Sequence, residues 1–131
     1  RQRSANRGNR MKNHESEEMY LETILRIGEK KSAVRSVDVV DELGYAKSSV
    51  SRAVNLLKKH GYIDFGQGGE LILTAEGRKK AESVFERHKV ITAALIKMGA
   101  DPATAEENAC RIEHVISDEL FEIVKKYAGQ G

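Results

Sequence analysis

The sequence is poor in several residue types, and each scarcity limits the possible folds. Among its 131 residues there are one proline, one cysteine and no tryptophan, and aromatic residues make up 5%. A single cysteine cannot close a disulfide within the chain, and a free thiol indicates a reducing compartment, so we expect a cytoplasmic protein. The few aromatic residues predict a small core built from aliphatic side chains.

Long apolar segments are also missing. No apolar run approaches the roughly 18 residues that a membrane-spanning helix needs, and no signal-peptide core follows the basic N-terminus. We therefore expect neither a membrane protein nor a secreted one. Four arginines lie in a Ser/Asn/Gly-rich stretch at the start, and Met11 resembles a natural first residue. Residues 1–12 are accordingly expected to be a disordered or artificial tail.

The apolar residues that are present recur mostly with helical spacing. A first helix is predicted from Ser16, as its cap, to Gly28. A short helix capped by Ser36 and ending at Gly44 then precedes a longer helix over 47–60, so the two form a helix-turn-helix. Apolar runs at 62–65 and 71–73 flank a glycine-rich loop, which predicts a β-hairpin. A helix-turn-helix followed by a hairpin is a winged helix.

The remainder of the chain is predicted to be entirely helical. Thr74, Asp101 and Ser117 are suited to cap three further helices, with Pro102 at the first position of the second one. The predicted fold is therefore mostly α, with a winged helix-turn-helix over residues 13–75 and a helical domain over residues 76–131.

The third helix has a composition that favours nucleic acid as its partner. Val50, Val54 and Leu57 form its apolar stripe, and residues 46–60 contain no acidic residue. Hydrogen-bonding and cationic side chains without nearby acids suit a helix that lies in a groove of double-stranded DNA. The residues expected near base edges are Ser48, Ser49, Ser51 and Arg52. Those expected on phosphates are Arg35, Lys47, Lys58 and Lys59.

A second group of residues predicts a metal site. Cys110, Glu113 and His114 have the spacing i, i+3 and i+4, which places them on one face of a helix. Glu106, four residues before Cys110, extends this strip. Met19 and Glu22 form a further pair beside the apolar face of the first helix, and His88 lies within an apolar stripe. Thiolate, carboxylate, imidazole and thioether are all known metal ligands.

Other interpretations of these residues stay open at this point. A buried cysteine often acts as a small apolar residue, and a histidine on an apolar face is often an ordinary core residue. A thiol enzyme, with Cys110 as nucleophile and His114 or His88 as base, lacks an orienting Asn or Asp and an oxyanion loop, so we do not expect an enzyme. A winged-helix regulator in which Cys110 senses an oxidant or an organic ligand remains an alternative. The effect of a metal chelator on DNA binding would distinguish it from a metal-dependent regulator.

Several segments carry a resemblance to a known family. They include Ser16–Leu25, the region Lys47–Arg52, Leu73–Arg78, Glu86–His88 and Ala109–Glu119. Together they resemble the short, two-domain form of the diphtheria-toxin-repressor family of metal-dependent repressors, over residues 14–128. The resemblance implies a winged helix followed by a helical dimerisation and metal-binding domain. It also implies a homodimer that binds Fe(II) or Mn(II), without an organic cofactor, and then a palindromic operator of metal-uptake genes.

Residue by residue, the resemblance implies a set of metal ligands. Met19, Cys110, Glu113 and His114 match the regulatory site, and His88 matches an ancillary or second site. Glu22 matches a ligand of the manganese-sensing branch, Glu106 stands where some iron-sensing members have histidine, and Thr92 stands where a second-site glutamate is expected.

The donor atoms also predict which metal is bound. Sulfur ligands favour Fe(II) over Mn(II), whereas Glu22 and Glu106 keep a manganese-sensing repressor as the alternative. Zn(II), Co(II) or Ni(II) are expected to substitute in vitro.

Overall fold

The protein consists of helices and one small sheet. The structure, a computed structural model, describes the backbone of residues 2–130 and the side chains of residues 15–130. Its elements in chain order are α1 Gln2–Gly28, α2 Ser36–Leu43, α3 Lys47–Lys59, β1 Ile63–Phe65, β2 Leu71–Leu73, α4 Ala75–Lys97, α5 Pro102–Ile112 and α6 Asp118–Gly129. They form two compact units, residues 1–82 and 83–131. The predicted architecture of a winged helix followed by helices is confirmed.

Helix α1 differs from the prediction at its start. It begins at Gln2, so the expected start at Ser16 is wrong, and the expected disordered tail is helical over its described residues. The expected apolar face is buried at Tyr20, Leu21, Ile24 and Leu25. Glu22 and Thr23 are buried too, so every side of this helix is covered over residues 20–25. Helix α1 packs against α2, α3 and β2 and forms the centre of the first unit.

The helix-turn-helix is confirmed, with one correction at its first cap. The N-cap of α2 is Arg35 and not Ser36, because the carboxylate of Asp38 accepts a hydrogen bond from the Arg35 backbone N–H at 2.9 Å. Gly44 ends α2 with φ 71°, the left-handed conformation that glycine adopts without strain. Helix α3 buries Val50, Val54 and Leu57, as its stripe predicted.

The predicted hairpin is also present. Strands β1 and β2 are antiparallel, with Ile63 opposite Leu73 and Phe65 opposite Leu71. Strand β1 begins one residue later than expected, because the N–H of Tyr62 donates to the carbonyl of Leu57 at the end of α3. Thr74 caps α4 as predicted, since its hydroxyl accepts the N–H of Gly77 at 3.1 Å.

The second unit has its own apolar core. Ile91 of α4, Ala109 of α5 and Phe121 of α6 are its buried members. The predicted caps are confirmed, because the side chain of Asp101 accepts the N–H of Thr104 and that of Ser117 accepts the N–H of Leu120. In the described part of the chain, no helix combines the length and hydropathy that spanning a bilayer would require.

A partly buried ionic cluster holds α1 in the first unit. The carboxylate of Glu17 lies 2.7 Å from the ammonium of Lys80 and 2.8 Å from the ring of His60. Burial alone would raise the pKa of Glu17, but the hydrogen bonds from Lys80 and His60 outweigh it and lower the pKa below its ordinary value. The cluster thus ties α1 to the end of α3 and to the first turns of α4.

Gly77 provides a test of this packing. A Cβ atom at this position would lie 1.9 Å from the carbonyl oxygen of Tyr62, which is backbone and cannot turn away. We expect Gly77→Ala to lower the free energy of unfolding by about 1–3 kcal/mol, in the range of overpacked sites. Urea unfolding followed by circular dichroism measures the change.

The matched control is Gly129→Ala. Gly129 is also helical, but a Cβ atom there would meet no other atom within 4 Å. Alanine should therefore be neutral, or stabilising by up to about 1 kcal/mol. Equal effects of the two substitutions would contradict the packing described for Gly77.

Candidate metal centre and nucleic-acid interface

Three metal-binding side chains converge in the second unit. His88 comes from α4, Cys110 from the last turn of α5, and Glu113 is the C-cap of α5. One ligand atom of each lies within 4.8 Å of the other two. Nδ1 of His88 lies 2.9 Å from a carboxylate oxygen of Glu113 and 3.7 Å from Sγ of Cys110. The structure therefore brings together a nitrogen, an oxygen and a sulfur donor.

Two of the three side chains in this cluster are buried. His88 is 4% exposed and Glu113 is 1% exposed, whereas Cys110 is exposed. A buried carboxylate is costly unless hydrogen bonds or a positive charge compensate it. The imidazole supplies a hydrogen bond, and a divalent cation would supply the charge. Imidazole, thiolate and carboxylate together suit a first-row transition ion, so the residues fit the metal that the sequence predicts.

Glu106 and His114 lie at the edges of the same cluster. A carboxylate oxygen of Glu106 is 3.6 Å from Nε2 of His88, and Nε2 of His114 is 3.4 Å from the second oxygen of Glu113. The spacing predicted that His114 shares a helical face with Cys110, and this is wrong. Helix α5 ends at Ile112, and His114 lies in the following turn. Its side chain still reaches Glu113.

The resemblance implied that His88 belongs to an ancillary site, separate from the regulatory site. The structure instead places His88 beside residues of the regulatory site. His88 contacts both Cys110 and Glu113, which were assigned to the regulatory site. A single carboxylate, Glu113, lies between the imidazoles of His88 and His114. One turn after His88, Thr92 has a buried hydroxyl with no hydrogen-bond partner among the described residues.

Met19 and Glu22 belong to the first unit, on adjacent turns of α1. The carboxylate of Glu22 is buried and lies 3.9 Å from the guanidinium of Arg26. The sulfur of Met19 accepts a hydrogen bond from the hydroxyl of Tyr45 at 3.8 Å. Sequence reasoning missed this contact, because Tyr45 lies in a turn whose only evident signal was its glycine.

The residues predicted to contact DNA are mostly on the surface. Along α3, Ser48, Ser51 and Arg52 are exposed, and Ser49 is partly buried. Lys47 and Lys59 are exposed as well.

Two of the predicted phosphate contacts already have protein partners. Lys58 pairs with Asp64 at 2.7 Å, and the guanidinium of Arg35 donates to the carbonyl of Gly68. Arg35 therefore joins the start of α2 to the loop of the hairpin, a contact that the sequence did not reveal.

The cluster can be tested with the metal alone. We expect Cys110→Ala to abolish the near-ultraviolet absorption band of a cobalt–thiolate bond and to weaken Co(II) binding at least about tenfold. Mutation of residues that only hydrogen-bond to metal ligands already lowers the metal affinity by about 10- to 100-fold. Absorption during Co(II) titration of the reduced protein measures both effects.

The control for this experiment is Glu107→Gln, which removes a carboxylate from the same helix at an exposed position. It should leave the band and the affinity unchanged. Retention of the band in Cys110→Ala would show that the thiol does not bind the ion.

Solved structures share this fold. A manganese-dependent transcriptional repressor in complex with manganese superposes with a TM-score of 0.80 at 24% identity, covering 88% of this chain and 53% of that one. The manganese regulator SloR gives a TM-score of 0.78 at 22% identity, covering 88% of this chain and 54% of that one. The hypothetical protein SSo2273 from Sulfolobus solfataricus gives 0.66 at 25% identity, over 88% of both chains. The chain thus spans about half the length of the two manganese regulators.

Sequence comparisons extend this likeness. The chain is 34% identical to the HTH-type transcriptional regulator MntR of Listeria monocytogenes over 102 residues, which is 78% of this chain and 72% of that protein. It is 33% identical to an HTH-type regulator of Methanocaldococcus jannaschii over 113 residues, covering 85% and 90%. Residues 13–69 match the N-terminal DNA-binding domain of iron-dependent repressors, and residues 74–130 match their metal-binding and dimerisation domain. The chain therefore belongs to the iron-dependent repressor family, which confirms its resemblance to the diphtheria-toxin repressors.

Proposed function

We propose that this protein is a transcriptional repressor that binds a divalent transition ion and then, as a homodimer, a palindromic operator of metal-uptake genes. The observation that carries the proposal is the cluster of His88, Cys110 and Glu113, in which the imidazole and the carboxylate are buried. The match to a DNA-binding domain over residues 13–69 supports it, as does the match to a metal-binding and dimerisation domain over residues 74–130. A regulator of this kind works where the DNA is, so we place it in the cytoplasm.

The proposed ligands come from three helices and one turn. The second unit contributes His88, Glu106, Cys110, Glu113 and His114, and the family resemblance adds Met19 and Glu22 of α1. When bound, the ion supplies positive charge to the buried carboxylate of Glu113 and a fixed coordination geometry. Because α1 packs against α2 and α3, restraint of Met19 and Glu22 also restrains the helix-turn-helix.

Iron is our first choice for the physiological metal, and manganese is the alternative. A thiolate and a thioether favour Fe(II) over Mn(II), which prefers oxygen and nitrogen ligands. Manganese is favoured by Glu22 and Glu106 and by the related manganese regulators. We expect Zn(II), Co(II) and Ni(II) to bind in vitro, because affinity rises along the first transition row toward copper and is still high for zinc.

Helix α3 is the proposed reading element for DNA. We place Ser48, Ser49, Ser51 and Arg52 at base edges in the major groove, since hydroxyl and guanidinium groups donate to the acceptors exposed there. Lys47, Lys58, Lys59 and Arg35 are placed on phosphates. The contact of Arg35 with Gly68 holds the hairpin loop beside α2, so the loop is positioned to meet the DNA backbone.

The dimer is proposed to form over an apolar groove in the second unit. The groove has a volume of about 530 Å³ and is lined by side chains from α4 and α6 and from the end of α5 and the turn after it. Met98, Leu120 and Ile123 on its walls are at least half exposed. An exposed apolar surface of this kind commonly marks a protein interface, and the family model for these residues describes a dimerisation domain.

Metal-dependent DNA binding tests the main proposal. With DNA selected from a random pool by the metal-loaded protein, we expect Fe(II) or Mn(II) to raise the affinity at least about tenfold, within the usual range of allosteric coupling. Fluorescence anisotropy in anaerobic, metal-buffered solution measures it. We expect Fe(II) to act at a lower free concentration than Mn(II), and the reverse order would identify a manganese sensor. Binding that ignores a chelator would favour a regulator that senses an oxidant or an organic ligand through Cys110.

Two variants test the assignment of base and phosphate contacts. Arg52→Ala should lose about 1–3 kcal/mol of discrimination between selected and random DNA. Lys59→Ala should weaken binding to both DNAs equally. It should also reduce the slope of log affinity against log salt concentration by about one. If Arg52→Ala changed only the salt dependence, Arg52 would be a phosphate contact instead.

The dimer interface has its own test. We expect Ile123→Glu to convert the dimer into monomers, because it buries a carboxylate in an apolar contact. Sedimentation velocity measures the assembly state. Lys126→Glu, on the same helix but outside the groove, should remain dimeric, and a dimeric Ile123→Glu variant would contradict the proposed interface.

A further inference from the structure

Tyr45 lies in the turn that connects α2 to α3. It is the middle residue of the turn Gly44–Ala46, one residue before the N-cap of α3. Its ring is nearly half exposed, which by itself would suggest a solvent-facing residue. Two contacts, however, connect it to α1.

The first contact is between aromatic rings. The rings of Tyr45 and the buried Tyr20 lie 6.4 Å apart at 66°, an edge-to-face arrangement of the kind that aromatic pairs prefer. Tyr20 lies immediately after Met19 on α1. The ring of Tyr45 is thus held against the segment of α1 that contains Met19.

The second contact is between the Tyr45 hydroxyl and the Met19 sulfur, at 3.8 Å. A methionine side chain has three rotatable bonds and is among the most adaptable in proteins. A hydroxyl that donates to its sulfur therefore restricts the orientation of a side chain that would otherwise move freely. The thioether keeps a second lone pair, so this hydrogen bond and coordination of an ion are compatible.

We propose that Tyr45 is a positioning residue for Met19 and links the metal ligand on α1 to the start of the DNA-reading helix. The inference rests on the proposed function, in which Met19 is a ligand. It adds that the turn of the helix-turn-helix orients this ligand directly. Since Tyr45 is only two residues before Lys47, a change at Met19 reaches the N-terminal turn of α3 without passing through the core.

The test uses Tyr45→Phe, which keeps the ring contact and removes only the hydroxyl. In metal-free protein labelled at the methionine methyl groups, we expect the Met19 signal to shift while that of Met98 stays in place. Met19→Leu assigns the Met19 signal. The affinity for Mn(II) or Co(II) should fall about two- to tenfold, as expected for loss of one hydrogen bond. Binding to selected DNA should be unchanged without metal, and its increase on metal addition should be smaller.

Two controls separate positioning from general destabilisation. Tyr62→Phe removes a hydroxyl in the same unit that accepts a hydrogen bond from Lys80, so it should leave the Met19 signal and the metal affinity unchanged. In a Met19→Leu background, Tyr45→Phe should have no further effect on metal affinity.

The outcomes distinguish the inference from the function on which it rests. An unshifted Met19 signal in Tyr45→Phe overturns the inference. So does normal metal affinity in Tyr45→Phe when Met19→Leu binds metal weakly. Normal metal affinity in Met19→Leu itself overturns the assignment of Met19 as a ligand, and the inference falls with it.

Discussion

The chemistry proposed for the second unit depends on one buried pair, His88 and Glu113. The carboxylate of Glu113 is almost fully removed from water and lies 2.9 Å from the imidazole of His88. Such a pair does little for stability by itself, because removal of charge from water offsets the attraction. A bound cation would compensate the negative charge of the Glu113 carboxylate. The positions of α4 and of the end of α5 are thereby tied to the chemistry proposed for this unit.

The first unit relies on a helix that is buried on all sides. Residues 20–25 of α1 are buried, and α1 packs against α2, α3 and β2. Such a helix cannot turn about its axis without moving its neighbours, since a packed interior leaves little free volume. The metal ligands proposed on α1 would therefore influence α3 through ordinary packing. The Glu17 cluster at one end of this segment and Tyr45 beside Met19 add polar contacts to the same framework.

Much of the fold could be predicted from the sequence, because local signals determined it. The stripe of α3, the turn at Gly44 and the caps at Thr74, Asp101 and Ser117 each have a short-range cause, and all are confirmed. The failures were also local: α2 is capped at Arg35, whose backbone N–H donates to Asp38, and not at Ser36. Helix α1 also continues toward the N-terminus beyond Ser16. The meeting of His88 with Cys110 could not be derived from spacing, because it depends on how α4 and α5 pack. The same holds for Tyr45 and Met19, which are 26 positions apart.

The exposed thiol of Cys110 has a consequence for how quickly the protein can respond. The two residues that cluster with it, His88 and Glu113, are buried, so the cluster meets solvent at the thiol and is enclosed at the other two side chains. An ion arriving from solvent would find the thiol accessible, and His88 and Glu113 would complete its binding from the enclosed side. The proposed site would therefore be open to exchange with the surrounding solution, as the sensing of a changing ion supply requires.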